Sequence, residues 1–141
     1  MTCLILDAEA LSSVARGGRH EGAVRAALAA AVAERADVLV PAAVLSECYR
    51  GVQHDQVIDA CLAREGGIDV ASTDRPLARR VGHLLAAAGW GSEHHVDATV
   101  ISVCAAAGGG LVLTGDLSHL STLAPAGSGI VVRGLTGGCT R

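Results

Sequence analysis

Four carboxylates stand where solvated acids are not expected. Asp7 ends the apolar run Leu4, Ile5, Leu6, and Asp116 lies two residues past Thr114, at the end of a second apolar run. Glu47 sits among Val44, Leu45, Cys48 and Tyr49, and Asp97 heads the stretch HVDATVISVCAA, with Ile101 and Cys104 at i+4 and i+7. Other acids, such as Glu21, Glu34, Asp55, Asp59 and Glu65, fall on the surfaces or ends of expected helices. Two carboxylates about 4 Å apart repel by about 4 kcal/mol at an effective dielectric near 20. Four brought together need a cation, or some must take up protons. An all-oxygen donor set without paired Cys or His suits Mg²⁺ or Mn²⁺. Such an ion activates water and stabilises charge on a phosphodiester, so hydrolysis of a nucleic-acid backbone is the natural reaction. Taken singly, each acid has a structural alternative. Asp7, Asp97 and Asp116 can each N-cap the helix that follows, and Glu47 can pair with Arg50.

Only a particular fold brings the four together. Short apolar runs at 4–6, 37–40, 68–71, 111–114 and 129–132 read as strands, the first buried on both faces because it does not alternate. Helices are expected between them, at 8–15, 21–35, 41–50, 53–63, 74–88, 95–107 and 116–123. In the second, Val24, Leu28 and Val32 would form the buried stripe. Pro41 opens the third, and Thr73 or Asp74 caps the fifth ahead of Pro76. Strands alternating with helices predict an α/β protein with a mainly parallel sheet. With strand order 3-2-1-4-5, the carboxyl ends of strands one and four meet at a topological switch point, where such sheets place ligands. Asp7 and Asp116 would then line one crevice, and Glu47 and Asp97 would lean over it. The domain is expected to span 1–133, with 134–141 a mobile Gly/Thr-rich tail.

Composition narrows the chemistry. The chain has 141 residues, long enough for one domain with its own core. It has no Phe, one Tyr and one Trp, so the core must be built from Ala, Val, Leu and Ile. All eleven basic residues are Arg, which excludes a P-loop and a Schiff-base enzyme, both of which need Lys. The net charge of −3 excludes a polycation, so nucleic acid would be held by a local basic patch and metal ions. Arg16 and Arg19, in a turn near the crevice mouth, are the candidates for phosphate contact. Five scattered cysteines, with no CxxC and no basic leader, predict reduced thiols in a cytoplasm. No apolar run approaches the roughly 18 residues of a membrane span.

In order along the chain, LILDAEAL, VLSECYRG, HVDATVISVCAA and LVLTGD resemble the motifs of the PIN-domain ribonucleases, and the length resembles that of VapC-type toxins of toxin–antitoxin pairs. The resemblance covers the chain up to Val132. It implies a three-layer sandwich with a central five-stranded sheet, and a Mg²⁺- or Mn²⁺-dependent endoribonuclease working as a homodimer held by a small antitoxin. It places Asp7, Glu47, Asp97 and Asp116 at the metal-binding positions and Thr114 at the hydroxyl beside them. Two positions depart from the family pattern. Glu9 stands where Ser or Thr is common two residues after the first Asp, and is expected to face solvent. His119 stands where another acid is common three residues after the last Asp. That second departure motivates the alternative, a degenerate PIN domain that binds RNA or an antitoxin without catalysis.

Other groups carry weaker signals. His94, His95 and Cys104 do not match the spacing of a closed zinc site. Trp90 could stack on a base, but reads first as a hydrophobic plug at a helix end. Gly108–Gly110 is a turn before a strand, and Gly127-Ser128-Gly129 a loop rather than a nucleophile elbow.

Overall fold

A computed structural model describes residues 1–136 and the backbone of 139 and 140. It has a sheet of order β3-β2-β1-β4-β5-β6. The strands are β1 (Cys3–Leu6), β2 (Asp37–Pro41), β3 (Ile68–Ala71), β4 (Gly110–Thr114), β5 (Ile130–Gly134) and β6 (Cys139–Thr140). The first five pair in parallel in the expected order 3-2-1-4-5. The helices are α1 (Ala8–Arg16), α2 (Glu21–Ala33), α3 (Ala42–Cys48), α4 (Val52–Arg64), α5 (Arg75–Ala88), α6 (His95–Ala106) and α7 (Leu117–Leu123). Among the described residues no helix is long and apolar enough to cross a membrane.

Every residue of β1 is fully buried, as a central parallel strand covered on both faces must be. Helix α6 lies against β1, β2, β4 and β5, with α5 and α7 packed beside it. Helices α1 and α2 lie against β1, and α4 packs on α1. At the start of β4 the sheet is tight: Gly110 has φ 152°, and a side chain there would collide with the Cys3 carbonyl. Only glycine lets β4 approach β1 at this point, and that approach sets the register placing Leu6 beside Leu113. Asp7 and Thr114 therefore leave the sheet side by side.

One expectation is corrected and two are extended. The buried stripe of α2 is Val24, Ala27 and Ala31, and Val32 is 76% exposed. Steps of four drift 40° per turn of helix, whereas alternating steps of three and four stay on one face, where small Ala residues allow close packing. The five expected strands pair in parallel in the expected order, and a two-residue sixth, β6, is added antiparallel to β5. Finally, the chain does not leave the fold at 133. Gly134 continues β5, Leu135 is buried with its N–H donating to the Thr114 carbonyl, and Cys139 pairs with Arg133. The remainder of the expected tail, 137, 138 and 141, lies outside the described residues. Of the two cap candidates on α5, Asp74 is the one used, accepting from Leu77 N at 2.9 Å.

Candidate active site

The carboxyl ends of β1 and β4 hold a connected set of polar groups. Asp7 is the N-cap of α1, and its Oδ1 accepts from Ala10 N at 2.9 Å. Its Oδ2 accepts from the Thr114 hydroxyl at 2.5 Å and from Gly115 N at 3.0 Å. The Thr114 oxygen in turn accepts from Asp116 N at 2.7 Å. Capping and site-building are thus not alternatives: one carboxylate does both, with one oxygen on its own helix and the other on β4. Burial nevertheless pushes the Asp7 carboxyl above the usual range, more than the hydrogen bonds from Thr114, Ala10 and Gly115 pull it down, with a further rise from the Glu9 charge. Among the described residues no Arg pairs with this half-buried carboxylate, and a cation is what would offset its desolvation.

Asp116 caps α7, its Oδ1 accepting from His119 N at 3.3 Å. Its Oδ2 meets His119 Nδ1 at 2.6 Å, and the same nitrogen stands 3.8 Å from Asp97 Oδ2. Asp97, in the first turn of α6, does not cap that helix; it is half-buried, with its carboxyl raised by burial and then by the nearby Asp116 charge, against the opposing pull of His119 and His94. The His119 imidazole thus lies between two of the expected acids. Trp90 is half-buried with its ring over His94, centroids 4.2 Å apart, and edge-on to His119 at 5.6 Å.

Glu47 is exposed on the outer side of α3 and makes no hydrogen bond or ion pair among the described residues, so the alternative of a pair with Arg50 is not formed. It stays near the pocket, since its charge and that of Asp7 both act on the Cys48 thiol, which burial raises first. Arg16 is exposed at the end of α1, with Nη2 2.6 Å from His54 Nδ1, and Arg19 is exposed, donating to His20 at 3.1 Å. Glu9 is exposed as expected, yet it leans over Gly115, where a side chain would collide with it.

The structure thus joins Asp7, Thr114 and Asp116 by hydrogen bonds, and Asp97 to Asp116 through His119. It leaves Glu47, Arg16 and Arg19 at the margin. Sequence reasoning missed His94 and Trp90 as parts of this cluster. The signal was there in outline, because His94 and Asp97 are three residues apart at a helix start and share a face. The set His94, His95 and Cys104 is not assembled: His95 is exposed and Cys104 is buried, 3.9 Å from the Cys3 sulfur. A separate concave surface lies at the opposite end of the strands, lined by Thr2, Ala27, Gly109 and Val131, away from the acids.

Comparison with known proteins decides the family. A family model for the PIN domain matches residues 4–122, which contain all four acids and Thr114. This chain belongs to the PIN-domain family. Its fold is similar to that of a chain in the crystal structure of VapBC2 from Rickettsia felis bound to a DNA fragment from their promoter. That match has a TM-score of 0.65 at 12% identity and covers 94% of this chain and 98% of the other chain. No curated protein sequence matches significantly.

Proposed function

We propose that this PIN domain is a divalent-metal-dependent endoribonuclease, the VapC-like toxin of a toxin–antitoxin pair. The observation that carries the proposal is Asp7, a half-buried carboxylate held on both oxygens at the switch point beside Asp116. Its donor set fits a hard divalent cation: Asp7, Asp97 and Asp116 offer oxygens, and among the described residues no Arg pairs with them. Asp7, Asp97 and Asp116 would hold Mg²⁺ or Mn²⁺, with Glu47 at the rim. When bound, the ion supplies Lewis acidity, making water nucleophilic and offsetting charge on the phosphodiester. Thr114 fixes the Asp7 carboxylate through its hydroxyl, and Gly115 N aids it. Arg16 and Arg19 stand ready to hold the RNA backbone beyond the pocket. The same reading gives the chain a small antitoxin as partner and a homodimer as its assembly; the fold likeness to a VapBC2 chain supports the antitoxin.

The second reading, a PIN domain that binds RNA or antitoxin without catalysis, is favoured by one observation. His119 Nδ1 already faces both Asp116 and Asp97, so an imidazole holds the two carboxylates where a metal would otherwise join them. Incubation of the purified protein with labelled RNA separates the two. The nuclease cuts internally in Mg²⁺ or Mn²⁺, stops in EDTA and resumes when metal is restored. RNA bound but uncut in every divalent metal supports the second reading.

A further inference from the structure

His94, Asp97 and His119 each present one ligand atom, and all three atoms lie within 4.8 Å of one another. The residues come from three places: His94 ends a short 3-10 turn, Asp97 begins α6 and His119 is on α7. We propose that these three side chains form a mixed nitrogen–oxygen site that binds a borderline transition ion of the Zn²⁺ or Co²⁺ class more tightly than Mg²⁺.

The donor chemistry sets the ion class. Imidazole nitrogen suits Zn²⁺, Co²⁺ and Ni²⁺, whereas Mg²⁺ takes oxygen almost exclusively. Two nitrogens and one carboxylate leave coordination positions open, as sites that keep water or substrate on the ion do. Ligands on one such ion lie about 3–3.5 Å apart, so small side-chain movements close the set. Two further observations support it. Asp116 meets His119 at 2.6 Å and orients the ring, as the outer carboxylate of a carboxylate–histidine–metal chain does. Trp90 packs on the His94 ring and restricts its orientation, lowering the entropy lost on binding.

The site shares Asp97 with the acidic pocket and deepens the nuclease reading, on which the role of that pocket as a metal site rests. Cobalt titration of the full-length wild-type protein, read by visible absorption, tests it without relying on activity. The expected result is the absorption of nitrogen-ligated Co²⁺, displaced stoichiometrically by Zn²⁺ and not by equimolar Mg²⁺. His94→Gln and His119→Gln should each weaken Zn²⁺ binding at least about tenfold by calorimetry, while His95→Gln leaves it unchanged. Zn²⁺ and Co²⁺ binding no tighter than Mg²⁺, or binding that is indifferent to His94→Gln and His119→Gln, overturns the site. The outcomes separate the two ideas. RNA cleavage in Mg²⁺ with no histidine-dependent ion overturns this site and leaves the nuclease. A histidine-dependent Zn²⁺ site without RNA cleavage in any metal supports the site and contradicts the nuclease.

Discussion

The Thr114 hydroxyl donates to Asp7 Oδ2 at 2.5 Å while accepting from Asp116 N at 2.7 Å. One buried hydroxyl thus ties the first acid to the backbone of the last across two neighbouring parallel strands. Thr114 is fully buried, so the link is shielded from water and the Asp7 rotamer is fixed before any ion arrives.

Thr114→Val keeps the shape and removes this link. It leaves Asp116 N without its acceptor and Asp7 Oδ2 with Gly115 N as its remaining partner. The expected result is a 10–100-fold loss of metal affinity or RNA cleavage, with Thr114→Ser retaining most of both. Mn²⁺ calorimetry and cleavage rates on the two variants check it. Equal behaviour of the Val and Ser variants would show that the hydroxyl only fills space.

The metal-free protein should be destabilised by its own acids. Burial and Asp116 raise the Asp97 carboxyl, so the folded chain holds that proton to higher pH than the unfolded chain does. The unfolded state therefore binds fewer protons over that interval, and stability falls as pH rises from about 4 through the folded pKa. Asp97→Asn removes the deficit. In EDTA its Tm should exceed that of the wild type at pH 7, and the gap should shrink as pH falls toward 4. Added Mn²⁺ should reverse the order, because only the wild type gains full binding energy. Thermal melts over pH check both signs; a gap that widens on acidification contradicts them.

Gly115 is confined by Glu9. A side chain at 115 would collide with the Glu9 carboxylate and Cβ, beside the amide that donates to Asp7. Gly115→Ala should cost about 1–3 kcal/mol by overpacking, and Glu9→Ala in the same chain should recover most of it. Denaturant unfolding of the two single variants and the double variant measures the coupling. Additive losses would show that Glu9 swings clear at no cost.

Much of this was legible before the structure. The β1 run has no alternation because both its faces are covered, and an acid directly after such a run falls at the sheet's carboxyl edge. Asp116 follows β4 in the same way. His119 was harder to place, because its partners Asp97 and His94 are more than twenty residues away and meet it only through the packing of α7 on α6. Trp90 reads from the sequence as a plug, and its contact with His94 depends on the turn at 92–94, which no periodicity encodes. Ala27 and Ala31 carry the buried face of α2, and small residues give a weaker pattern than Leu28 and Val32. The strand at 139–140 is too short, and too rich in Gly nearby, to read as one.

The most direct measurement is the rate of internal cleavage of labelled RNA in Mn²⁺ by the wild-type protein and by Asp7→Asn, with folding of both checked by circular dichroism. Asn keeps the cap on Ala10 N but removes the charge that holds an ion. Cleavage by the wild type, lowered at least about 100-fold in Asp7→Asn, is the expected result, because loss of the ion forfeits several kcal/mol of transition-state stabilisation. Equal rates for the two proteins, or no cleavage by a folded, Mn²⁺-loaded wild type, would contradict a metal-dependent nuclease centred on Asp7.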